Sequence, residues 1–73
     1  MMEWENKLYQ ILLPGREALG VMEDWLECNI ETDIRLRRAK TKGHLVIETR
    51  DVMFSRNIQV WHPSCQINIK DLK

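Results

Sequence analysis

The segment Trp4-Glu5-Asn6-Lys7-Leu8-Tyr9-Gln10-Ile11-Leu12-Leu13-Pro14-Gly15 decides how the chain is read. Its apolar residues Trp4, Leu8, Ile11 and Leu12 fall at i, i+4, i+7 and i+8, which is one helical stripe, while Glu5, Asn6, Lys7 and Gln10 are polar and tolerated in helices. Pro14-Gly15 then stops the element. Lys7 to Leu13 also fits a first strand, because short apolar runs match both templates; the helix is the expectation adopted here. The next segment has a wider apolar face. Ala18, Leu19, Met22, Trp25 and Leu26 repeat with helical spacing, which predicts a helix from about Arg16 to Cys28. Trp4 and Trp25 are core candidates on these stripes.

After Asp33 the apolar period drops from about 3.6 to about 2. Ile34 and Leu36 alternate with Arg35 and Arg37, Lys42-Gly43 reads as a turn, and Leu45 to Arg50 reads as a second strand. Ser55 to Asn57 reads as another turn. Beyond it Ile58 and Val60 alternate with Gln59 and Trp61, and after Pro63-Ser64 the residues Cys65, Ile67 and Ile69 alternate with Gln66, Asn68 and Lys70. Such alternation belongs to antiparallel strands with one face wet. The expected fold is therefore α+β, with two N-terminal helices followed by a three- or four-stranded antiparallel β-meander and the helices packed on one sheet face. In this phase the opposite face carries Arg35, Arg37, Glu48, Arg50, Gln59, Trp61, Gln66, Asn68 and Lys70.

Length and composition limit the alternatives. A chain of 73 residues is expected to form one small domain over residues 1–73, burying only ~60% of its unfolded surface, so that oligomerisation would add stability. Apolar residues at 44% and charged residues at 30% match a folded chain better than a disordered tail. No repeat, low-complexity tract or linker divides it. Its longest apolar runs, such as Leu45 to Ile47 and Val52 to Phe54, fall far short of the ~20 residues that span a bilayer, so no membrane is expected. No basic segment leads into an apolar stretch at the N-terminus, and with Cys28 and Cys65 read as reduced thiols the expected location is cytoplasmic.

Formal neutrality hides two oppositely charged halves. Residues 1–33 hold eight acids against two bases, a net −6, and residues 34–73 hold nine bases against three acids, a net +6. Each half repels itself, and the cost falls when the positive half meets an anion. The densest run is Arg35, Arg37, Arg38, Lys40 and Lys42. With Arg50 and with Trp61 as a stacking platform it forms the expected nucleic-acid site, cations following phosphates and the ring taking a base. Lys and Arg on edge strands that block aggregation, with Trp61 packed on a neighbour, supply a plainer explanation. Lys42-Gly43-His44-Leu45-Val46 resembles an RNA-recognition strand but has neither of its aromatics. The helix near residue 24 points Glu23, Asp24 and Glu27 outward where its dipole is already negative, with Arg16 at the wrong end. These three carboxylates are the expected partner-binding patch, met by the basic stretch of the same chain or of a second copy in a homo-oligomer.

Cys28, His44, His62 and Cys65 are the residue types of a zinc site, but their spacings match no complete template, and Cys65 shares the phase of Ile67 and Ile69. No metal or cofactor is expected. His62 and Cys65 lack an orienting Asp or Asn and an oxyanion loop, and the glycines Gly15, Gly20 and Gly43 build no phosphate cradle. The chain is thus read as a non-enzymatic binding or regulatory module. Single-stranded RNA or DNA is the favoured partner, and a protein-interaction or inhibitor module that self-associates or caps a partner through its charged halves is the alternative.

Overall fold

Tyr9, Ile11 and Leu13 are buried while Leu8, Gln10 and Leu12 between them are not, so the deciding segment is a strand. The computed structural model describes residues 7–27 and 33–71, and its elements run β1 (Lys7–Pro14), α1 (Gly15–Glu27), β2 (Ile34–Arg38), β3 (His44–Thr49), α2 (Val52–Trp61) and β4 (Gln66–Asp71). Trp4 and Cys28 lie outside the described residues. The four strands form one sheet in the order β2-β3-β1-β4, with every neighbouring pair antiparallel. β1 and β2 are joined through α1 yet have β3 between them, and β3 and β4 are joined through α2 yet have β1 between them, the split β-α-β layout.

Register builds the core in rows. Leu36, Ile47, Ile11 and Ile67 lie side by side across all four strands. Ala18 and Val21 of α1 and Phe54 and Ile58 of α2 pack with Ile11, Leu13 and Ile47 of this face. Each fully buried Ile, Leu or Phe contributes about 1.5–3 kcal/mol, so this one layer supplies most of the drive to fold. No helix among the described residues is long and apolar enough to cross a membrane.

Two expectations are corrected here. The helices are not both N-terminal, because β1 precedes α1 and α2 sits between β3 and β4; the sheet is consequently not a meander. β1 is the inner strand between β3 and β4, so it carries apolar residues on both faces, and that pattern imitates a helical stripe. The second correction concerns the segment from Ser55 to Trp61, expected as a turn over Ser55 to Asn57 and a strand from Ile58. It is the last part of α2, whose buried residues Phe54, Ser55 and Ile58 have helical spacing. Asp51 starts this helix: its carboxylate accepts from the N–H of Met53 at 2.9 Å and of Phe54 at 3.2 Å. Pro63 follows the capping residue His62 and cannot continue the helix. Trp61 and Gln59 are therefore exposed on a helix and absent from the open sheet face. Asp51→Ala is expected to cost about 0.5–2 kcal/mol, measured as a lower urea midpoint with an unchanged m-value.

The β2–β3 turn is fastened in place. Gly43 has φ +77°, a conformation that glycine adopts without strain. The Gly15 N–H donates to the Gly43 carbonyl at 2.8 Å, and a Cβ on Gly15 would stand 3.3 Å from that oxygen. The His44 N–H closes the turn on the Thr41 carbonyl at 3.2 Å.

Candidate nucleic-acid interface

Because both helices pack on one side, alternation sends the other residues of each strand to the bare side. β1 places Gln10 there between Leu8 and Leu12, β2 places Arg35 and Arg37, β3 places Val46 and Glu48, and β4 places Gln66, Asn68 and Lys70. Four of these side chains link all four strands. Asn68 Nδ2 donates to Gln10 Oε1 at 2.7 Å, Gln10 Nε2 donates to Glu48 Oε2 at 2.8 Å, and an Arg37 guanidinium N–H donates to the same oxygen at 3.2 Å.

Glu48 is the centre of this chain and is only 5% exposed. Burial pushes its carboxyl up, but the hydrogen bonds from Gln10 and Arg37 and the charges of Arg37 and Arg35 more than reverse this, leaving it below the usual carboxylate range. It is thus an anion held in place, poorly suited to taking up a proton near neutrality. A lowered folded-state value stabilises the fold fully above the unfolded carboxylate range and ceases to do so as pH falls through the folded value. Acid titration of Glu48→Gln is expected to show a shallower loss of stability below about pH 4.5 than the parent protein, measured by chemical denaturation at a series of pH values.

The basic residues surround this network on one side. Arg35 and Arg37 stand on the open face of the edge strand β2, Arg38 turns to the helix side opposite Leu45, and Lys40 and Lys42 occupy the turn; all five are exposed. Among the described residues the only ion pair of this stretch is Arg37 with Glu48 at 3.2 Å. Arg38 to Thr41 form the wall of a concavity of about 390 Å³ whose floor includes Gln10, Leu12, Val46 and Asn68. A smaller recess of about 260 Å³ on the same face is lined by Arg50 together with Leu8, Arg35 and Glu48.

The other expected site residues go elsewhere. Glu23, Asp24 and Glu27 are exposed on α1, in the opposite layer, and none pairs with the β2 stretch among the described residues. Trp61 is 78% exposed at the end of α2, so the structure does not bring it to the basic face. Sequence reading missed Gln10, which it had placed on a helix; the alternation of Tyr9, Ile11 and Leu13 around it was the available signal. The four zinc candidates do not gather. His44 Nδ1 is 3.1 Å from the Lys42 carbonyl, His62 Nδ1 is 2.9 Å from Glu17 Oε1, and Cys65 packs against the core. Among the described residues no three His, Cys, Asp or Glu side chains converge. Burial pushes the Cys65 thiol up; the Cys65 backbone N–H opposes this, and the Glu17 carboxylate adds a lesser upward push. Comparisons with protein-family models, curated proteins and solved structures find no match to this chain, so its function has to be argued from its own residues.

Proposed function

We propose that this chain is a non-enzymatic binding module that takes single-stranded RNA or DNA along its open sheet face and the β2–β3 turn. One observation carries the reading: Arg35, Arg38, Lys40 and Lys42 are exposed along one edge, and no carboxylate forms an ion pair with them among the described residues. Surplus cations on a rim follow phosphates, while Gln10, Gln66 and Asn68 offer amide donors and acceptors beside them. The face has no Phe, Tyr or Trp side chain among the described residues, so the guanidinium planes of Arg35 and Arg37 and the imidazole of His44, which is in phase with Val46 and Glu48, are the stacking surfaces left to it. Binding of this kind is weak, tolerant of sequence and steeply dependent on salt. A cytoplasmic setting suits it, since Cys65 is then kept as a thiol.

Fluorescence anisotropy with a short labelled single strand tests the proposal. Contact with about three to five phosphates gives a log-log salt slope of about −2 to −4. No binding at low salt overturns it. Trp61→Ala serves as the internal comparison, because a residue on the helix layer should leave affinity unchanged; a loss of about 1–3 kcal/mol, the worth of one stacked base, would place the strand on the wrong side of the molecule.

A further inference from the structure

On the helix side a groove of about 420 Å³ opens between α1 and α2. Its apolar lining includes Val21, Trp25, Ile58 and Trp61, and its polar lining includes Glu17 and Asp24. Glu17 holds His62, whereas Asp24 has no hydrogen-bond or ion-pair partner among the described residues. Trp61 leaves most of its ring in solvent. Gly20 adds a notch, since a Cβ there would meet nothing within 4 Å. A groove that sets tryptophan rings beside carboxylates suits a cation on an aliphatic stem: the stem lies on the ring, and the charge faces both the ring and the acid.

We infer that this groove receives the β2–β3 turn of a second copy, so that the chain associates head to tail. The complementary charge is on the same molecule: Arg38, Lys40 and Lys42 are exposed without an ion pair among the described residues, opposite in sign to Asp24 in the groove. The turn does not pair with Asp24 of its own chain, so the contact is made between molecules. Its anchoring through Gly15 and His44 means that little order is lost when it docks. A turn entering a groove is a heterologous contact that repeats from copy to copy, unlike a two-fold dimer. This inference does not rest on nucleic-acid binding, although a strand held by Lys40 and Lys42 competes with it.

Sedimentation at low salt with two variants tests it. Gly20→Leu places a side chain in the notch, where its Cβ meets nothing within 4 Å, and replaces a helical glycine with a strong helix former, so the fold is expected to survive; Lys40→Ala with Lys42→Ala empties the turn of its lysine charge. The parent protein is expected to exceed the mass of one chain increasingly with concentration, and each variant alone to weaken this by about tenfold or more. The decisive sample is their equimolar mixture, in which one intact groove meets one intact turn: it should form a one-to-one pair and nothing larger. A parent protein that stays monomeric, a turn variant that associates as well as the parent, or a mixture without pairing overturns the inference. Oligonucleotide affinity of Gly20→Leu, measured at a concentration where the parent is monomeric, is expected to equal that of the parent, so failure here and failure of the sheet-face reading give different results.

Discussion

Neutralising Arg35, Arg38, Lys40 and Lys42 together by Ala is expected to lower single-strand affinity at 0.1 M salt by about two orders of magnitude and to reduce the salt slope by about 2. Both figures follow from counterion release, where each phosphate contact contributes ~0.7 to the slope on a single strand. Loss of about three contacts, scaled from a 1 M reference, gives a factor near 10². Arg37 is left in place because it neutralises Glu48 at 3.2 Å, and its removal would leave a buried carboxylate with less support. The four chosen residues are exposed, so the melting temperature should change little. Anisotropy titrations across a salt series measure both numbers. An unchanged slope would mean that the phosphates lie elsewhere.

The second large effect concerns the layer beneath. Ile47 is fully buried in the row Leu36-Ile47-Ile11-Ile67, under residues from both helices. Ile47→Ala is expected to cost about 2–5 kcal/mol, the transfer and cavity terms together. A chain of this length has a net stability of only about 4–11 kcal/mol, so the melting temperature should fall by about 10 °C or more. The open face should fail with it, because Glu48 is the next residue of the same strand. Thermal and urea melts measure the loss, and a cost below about 1 kcal/mol would show that this row is not the centre of the core.

How far the sequence reveals this molecule depends on whether one period wins locally. α1 was legible because Ala18, Met22 and Trp25 keep helical spacing between polar residues, although Leu19 and Leu26 of the expected stripe are exposed and Val21, outside it, is buried. β2 and β4 were legible because the alternation of Ile34 and Leu36 with Arg35 and Arg37, and of Ile67 with Gln66 and Asn68, has no helical competitor; β3 was legible as a strand, but the run Leu45-Val46-Ile47 left its phase open. β1 was not, since an inner strand with Leu8 and Leu12 on one face and Tyr9, Ile11 and Leu13 on the other satisfies both templates. α2 was not, since Ile58 and Val60 imitate alternation although Val60 is 77% exposed and makes no core contact of that kind. The stronger signal lay upstream, in Asp51 capping a helix whose Phe54 and Ile58 are one turn apart. These two misreadings had different consequences for the candidate site. Arg35, Arg37 and the amides of β4 fell on the face where alternation placed them, whereas Arg38 faces the helix side, Trp61 stands on the other layer and Gln10 was overlooked.

Where the strand lands is read most directly by titrating the isotope-labelled protein with a short single strand at low salt and following each backbone amide by NMR. Binding to the open sheet face is expected to shift the amides of residues 35–42, of Gln10 and Glu48, and of Gln66 to Lys70, with the shifts reversed by added salt. Shifts confined to Val21, Asp24 and Asn57 to His62, or no shifts at all at low salt, would contradict it.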